Sequence, residues 1–470
     1  MKRDTKVALL LWLVASVLFG ATAGRRLLFR STDTHFVYQA ECFLAKRLDL
    51  DGPPPHKNDW AEVETLKMRS GQTLKGQFLR QNPNRFRTLS GRTETVDFSQ
   101  IAERSRQYYV SFPPFPSLLM LPFVALFHHR TNDVLFSVLV AGISPALLFL
   151  LLRRLPRQSD EQDNEPLDLW LTLLFGLGSV FYFSAVQGQV WYTAHVVASA
   201  LCVLLLLCLW PLRPWACGFL CGALFLTRPQ MASVGLLFLF QLFSKPTGES
   251  SASAMLRRIW PNMIRFAIPA GILFGFGLIM NYIRFEKPFE FGHSYLQTIQ
   301  ADNIQRFGLM NYHFLSRNLA TALSLLPKIL PNYPYVQISS HGLALWLTSP
   351  ALLFLLWPER PLWSISVGAS EEKERIRKLR LALWATVLPI ALASLFYQNT
   401  GFIQFGYRFS IDYLPFLIVL LRLGSPKLSS SWLFRAAVVW GVLVNLFGAI
   451  TFNRIPAFYF TGFFSVPISG

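Results

Sequence analysis

Cysteine is scarce in this chain, with 5 residues in 470, and acid is scarce too: 26 Asp and Glu stand against 44 Lys and Arg. Four of the cysteines, Cys202, Cys208, Cys217 and Cys221, fall inside apolar runs, where a thiol behaves as a small buried hydrophobe. Cys217 and Cys221 share a helix face one turn apart, a spacing that builds neither a disulfide framework nor a metal site. Cys42 lies elsewhere without a partner, so no disulfide is expected. Soluble-enzyme motifs are missing as well. There is no phosphate-cradling glycine loop, no Gly-x-Ser-x-Gly elbow and no His-Glu-x-x-His pair. Direct use of a sugar nucleotide is therefore disfavoured, and any phosphate must arrive with a membrane. The net charge of +18 raises the question of nucleic acid. No reader motif accompanies it, and nucleic-acid binding is not expected.

What the chain has in abundance is apolar surface. Hydrophobic residues make up 52% of it and charged residues only 15%, with 42 Phe, 13 Trp and 14 Tyr. Lipid-facing helices explain that balance, since hydrocarbon replaces water as their solvent. Apolar runs recur near 7–23, 133–152, 169–186, 193–210, 215–227, 229–243, 264–283, 342–357, 381–398, 411–423 and 432–452. An all-α polytopic membrane protein of about eleven spans follows. Ala21-Thr22-Ala23 imitates a signal-peptidase site, but Arg25 and Arg26 follow at once, and an uncleaved first helix is expected. The run 114–128 is broken by Pro113, Pro114, Pro116 and Pro122 and reads as an interfacial or re-entrant helix.

Basic residues set the orientation. Arg153, Arg154, Arg157, Arg213, Lys245, Arg257, Arg258, Arg265 and the cluster from Lys373 to Arg380 fall on one side. Only Arg130, Arg228 and Arg408 fall in short connections on the other. The positive-inside rule then puts the N-terminus in the cytoplasm and the C-terminus outside a cell inner (plasma) membrane. The divisions are a first span at 1–23, a first outer loop at 24–132, spans at 133–283, a second outer loop at 284–341, and spans with an outer tail at 342–470. Within the first loop, Asp33 to Asp49 reads as an amphipathic helix, and the alternating stretch from Trp60 to Phe98 as a small hairpin or two. Phe307 to Leu326 reads as helix and Ser244 to Ala254 as a flexible tether.

Ionisable groups at the outer surface are the candidates for chemistry, because each is costly to desolvate without a partner. Asp33, in Ser31-Thr32-Asp33-Thr34-His35, precedes an apolar-periodic stretch and reads locally as a helix N-cap. Arg228 sits between two apolar runs with no neighbour in sequence to neutralise it. It either snorkels to headgroups or binds an anion. Arg408 lies in a polar, aromatic stretch with Tyr407, and Asp412 stands at i,i+4 as its expected salt-bridge partner. His195, at the outer end of a span, reads as an interface anchor or a substrate contact. Tyr109 and Glu290 are further candidate contacts.

Five pieces of sequence carry a resemblance: Ser31-Thr32-Asp33; Tyr109-Val110-Ser111-Phe112-Pro113-Pro114-Phe115-Pro116-Ser117; Leu226-Thr227-Arg228-Pro229; Asn281-Tyr282-Ile283-Arg284-Phe285 with Phe289-Glu290-Phe291-Gly292; and Gln404-Phe405-Gly406-Tyr407-Arg408. In their order and sidedness they resemble the GT-C superfamily of integral-membrane glycosyltransferases, which includes protein mannosyltransferases and aminoarabinose transferases. The resemblance implies a polyprenyl-phosphate sugar donor, inversion at the anomeric carbon, and a glycan, lipid or protein acceptor at the outer leaflet. It implies Asp33 as general base and Arg228 and Arg408 as holders of the donor phosphate. His195, Tyr109, Glu290 and Tyr407 are the implied substrate contacts. No cofactor is implied, and a divalent metal is compatible but not required. Relatives often carry a second acid near the start of span two, where this chain offers Asp133. A flippase or transporter of lipid-linked sugars, an outer-leaflet glycan ligase or polymerase, and a scaffold are the alternatives. The lack of an internal repeat counts against a transporter.

Overall fold

The computed structural model describes residues 3–80, 82–156, 164–243, 252–298, 300–362 and 371–463. Among the described residues, six helices are long and apolar enough to cross a membrane: Arg3–Leu28, Asp133–Arg154, Val190–Leu209, Ile259–Phe285, Glu371–Phe396 and Trp432–Thr451. Pro214–Phe225, Pro229–Phe243 and Leu414–Gly424 are shorter apolar helices. The chain is a multi-pass membrane protein.

The helices differ from the expected eleven runs for a physical reason. The run 169–186 divides into Glu165–Gly176 and Phe181–Ala185, and 342–357 into Leu345–Thr348 and the 3₁₀ turn Pro350–Leu355. Gly176, Gly178 and Pro350 stand at these breaks, where Gly weakens a helix and Pro removes a donor. Hydropathy alone reports neither. Residues 244–251 of the expected tether lie outside the described residues.

Leu9, Leu10, Leu13 and Val17 on the first helix are exposed, as a lipid-facing stripe must be. Buried contacts between helices use small residues. Gly218 lies so close to the long helix Ala252–Phe285 that a Cβ there would stand 2.0 Å from the Phe266 carbonyl oxygen. Gly218→Ala is accordingly expected to cost about 1–3 kcal/mol, the usual range for overpacking. Its thermal midpoint in detergent should fall, and an unchanged midpoint would show that the two helices separate freely.

The segment expected to form the first outer loop is richer in strand than the expected hairpin. Five antiparallel strands, β1 (Trp60–Met68), β2 (Thr73–Leu79), β3 (Asn82–Thr88), β4 (Thr93–Thr95) and β5 (Ile101–Val110), form one sheet in the order β4-β3-β2-β1-β5. Gly71 and Gly91 turn two of its hairpins at φ 84° and 94°, where a side chain would be strained. Leu66, Leu74, Phe86 and Val96 make its small core. Glu64 accepts both Nε and Nη2 of Arg104 across β1 and β5 (2.6 and 2.8 Å). Trp60 pairs with Val110, so the sheet leaves and rejoins the chain at one place.

Two helices sit below it. His35–Leu44 is shorter than the expected Asp33–Asp49 helix, and Phe115–Phe127 has 13 residues, too few for a straight span. They are tied by Gln39, which donates to the Phe112 carbonyl (3.1 Å) and accepts from Ser117 Oγ (2.6 Å). In the segment expected to form the second outer loop, the helix from Phe307 is interrupted after Gly308 (φ 77°), leaving Gln300–Phe307 and Leu315–Leu323.

Candidate functional site

Asp33 does not cap a helix. The residue before His35–Leu44 is Thr34, and its side chain makes no capping bond. The Asp33 carboxylate instead accepts hydrogen bonds from Thr32 Oγ1 (2.6 Å), Asn58 Nδ2 (3.2 Å) and Gln189 Nε2 (3.3 Å), with His56 Nε2 at 3.7 Å. Ser31 gives its backbone N–H and its hydroxyl to Asp133 (2.7 and 2.5 Å), which anchors the Ser31-Thr32-Asp33 turn to the start of the second long helix. Asp133 therefore holds the turn from behind. Asp33 is 7% exposed and borders an outer chamber of about 1090 Å³ together with Asn58, Asp59, Gln189, Trp191 and Asn399.

A second chamber, about 340 Å³, lies against the first, and Asp59, Trp191 and Asn399 line both. Trp191 Nε1 donates to Asp59 Oδ2 (2.8 Å), closing part of the shared wall. Arg228, Arg408, His195 and His293 line the inner chamber among Phe112, Phe225, Phe291, Leu296 and Met310. Burial pushes the His293 imidazole down to about 4, so at neutral pH it adds no charge there.

The expected Arg408–Asp412 pair is replaced by another. Residues Arg408–Asp412 form a 3₁₀ turn, so positions i and i+4 do not sit above one another as they do on an α-helix. Asp412, fully buried, takes Nε and Nη2 of Arg228 (3.1 and 2.8 Å), Gln230 Nε2 (2.9 Å) and His195 Nδ1 (2.7 Å). Arg228 is thus neutralised from far away in sequence, and its Nη1 makes no protein hydrogen bond among the described residues. A carboxylate only accepts, so His195 carries its proton on Nδ1. Its buried Nε2, which has no protein partner, is left as an acceptor.

Arg408 is held differently. Its Nη1 donates to the carbonyls of Gly401 and Ile403, the latter at 2.8 Å, and its guanidinium lies over Tyr192 and Phe409 at 5.2 and 5.6 Å. Its Nε is buried without a partner. No carboxylate lies within ion-pair distance of it among the described residues, though Asp59 on the same chamber wall attracts it at longer range, so its guanidinium is not tied to a direct acidic partner.

Three expected contacts lie away from both chambers. Tyr109 packs on Phe285 (5.4 Å) in a small core shared with Tyr295. Glu290 caps its own turn, accepting from Gly292 N (2.7 Å) and Ser294 N (3.3 Å). Tyr407 is buried against Phe409 with its hydroxyl unpartnered. Conversely, Asn58, Asp59, Gln189 and Trp191 border the site without having been marked by sequence. For Asp59 there was a weak cue, the Gly- and Pro-rich turn before it, and its φ of 56° shows how tightly the chain bends there.

No protein-family model matches this chain, and no curated protein matches it. Among solved structures it is similar to the oligosaccharyltransferase of Archaeoglobus fulgidus in its apo form. The TM-score is 0.44 and the identity 10%, over 98% of this chain and 56% of that one. The chain thus spans little more than half the length of that neighbour.

Proposed function

We propose that this chain is a membrane glycosyltransferase that moves a sugar from a polyprenyl phosphate to an acceptor at the outer face of the membrane, with inversion. The observation that carries the reading is the pair of adjoining chambers. One presents the Asp33 carboxylate amid polar groups; the other presents Arg228 and Arg408 amid aromatic and aliphatic ones, the surroundings a prenyl phosphate needs. The sequence resemblance to GT-C enzymes points the same way.

The chemistry follows from that placement. The acceptor hydroxyl or amine gives its proton to Asp33 while its heteroatom attacks the anomeric carbon from the outer chamber. The bond from that carbon to the phosphate oxygen breaks, and its electron pair leaves with the lipid phosphate. Developing charge on the phosphate needs stabilising more than it needs a proton, and the two guanidinium groups supply it. The anomeric carbon would sit at the wall formed by Asp59, Trp191 and Asn399.

Labelled polyprenyl-phosphate sugars supplied to purified protein in nanodiscs should yield free polyprenyl phosphate. Protein that carries the lipid across the bilayer without cleaving it would instead be a flippase. Arg228→Ala should raise the KM for the donor by about tenfold to a hundredfold, the worth of a lost charged hydrogen bond. A donor KM that stays put would remove Arg228 from the phosphate site.

A further inference from the structure

We infer that the outer chamber holds an anionic glycan, selected by Arg25, Lys57 and Arg80. The inference rests on the proposed transfer reaction and names the class of its acceptor. Five cations line this chamber, Arg25, Arg26, Arg30, Lys57 and Arg80, against two carboxylates, Asp33 and Asp59. Neither carboxylate pairs with any of them. Asp33 is occupied by Thr32, Asn58 and Gln189, and Asp59 by Trp191.

Two of the five have structural work. Arg26 binds Gln187 (2.7 Å) and the carbonyls of Phe452 and Asn453 (3.1 and 3.0 Å), and Arg30 binds the His129 carbonyl (2.5 Å). Arg25, Lys57 and Arg80 form no hydrogen bond or ion pair among the described residues, and all three side chains are exposed. They arrive from three separate elements. Arg25 lies in the 3₁₀ turn Gly24–Leu28, Lys57 in the loop before β1, and Arg80 just past β2. One amphipathic helix turned to a headgroup layer would not gather them around a single cavity. All three line one cavity with no carboxylate bonded to them, which leaves their charge to an incoming anion.

The rest of the lining says what kind of anion. Asn58, Gln189 and Gln297 add side-chain amides that keep donor or acceptor capacity for sugar hydroxyls, beside the amides of Gln187, bonded to Arg26 and the Phe183 carbonyl, and Asn399, whose oxygen accepts from Gly401 N and Phe402 N. Guanidinium forks match carboxylate or phosphate substituents on such a glycan.

The test uses trigalacturonate and its neutral methyl ester, titrated calorimetrically into full-length protein in phosphatidylcholine nanodiscs. The charged trisaccharide should bind at least about tenfold more tightly than the ester, and added salt should weaken it. The exposed triple variant Arg25→Gln/Lys57→Gln/Arg80→Gln should erase the difference. Equal affinity for acid and ester overturns the inference. So does displacement of the trisaccharide by a short polyprenyl phosphate, which would give the cations to the donor. A triple variant that keeps trigalacturonate but, in a parallel set of nanodiscs doped with phosphatidylglycerol, loses its affinity for that lipid would make them lipid anchors only. Binding is read without turnover. Active protein indifferent to charge therefore sinks this inference, whereas inactive protein that still selects the charged trisaccharide sinks the transfer reaction.

Discussion

Asp33→Asn is expected to lower sugar transfer by about 10²- to 10⁴-fold, the range over which a positioned general base contributes. The substitution is nearly isosteric, and the groups around it can adapt. The Thr32 hydroxyl rotates freely, and the Gln189 amide can present its oxygen to the new Nδ2 in place of its own donor. The thermal midpoint should therefore stay close to that of the parent protein. Activity is read as release of polyprenyl phosphate from a labelled donor, alongside the melt. Turnover near the parent rate would leave Asp33 as a structural acceptor joining Asn58 to Gln189. A collapsed melt would show that its hydrogen bonds, and not its basicity, are what the fold requires.

The second large effect lies at Asp412. Its carboxylate is the common partner of Arg228, Gln230 and His195. Asp412→Ala strands a guanidinium against a buried surface, a loss of about 3–5 kcal/mol for a broken buried pair. Detergent-solubilised protein should unfold many degrees earlier. Adding Arg228→Gln should recover part of the loss, because the stranded charge goes with it. If the double variant is no better than Asp412→Ala alone, the cost comes from the cavity and from His195, and Arg228 is not the partner that matters.

Much of this architecture can be read directly from sequence, and the exceptions have identifiable causes. Long apolar runs announce the six long helices because lipid exposure imposes a composition. Broken runs such as 342–357 do not, since hydropathy is blind to where Pro350 interrupts hydrogen bonding. Ser70-Gly71 and Ser90-Gly91 flag two turns of the sheet, but the stretch Ile101–Val110 alternates weakly and hides its fifth strand. Asp33 stands out locally for its composition, yet local rules assign it to capping. Its actual partners, Asn58 and Gln189, are 25 and 156 positions away. Arg228 and Asp412 are separated by 184 positions, so a neighbour-based rule assigned Asp412 to Arg408 instead. Charge pairing in a membrane bundle is set by which helices touch, and that is tertiary information.

The pairing of Trp60 with Val110 has a further bearing. Since the five-stranded sheet departs and returns through a single pair of neighbouring strands, it behaves as a graft on a stem. The β3–β4 hairpin at its far edge can lengthen, shrink or change sign without tugging on Asn58 at one root or Pro113 at the other, whereas β2 is also held through Gln77 to the Ser294 carbonyl and Gln297. Under the proposed transfer reaction, the Asp33 site and the surface that greets the incoming molecule can then diverge separately, and a lineage could alter what it decorates while leaving the bond-making step untouched.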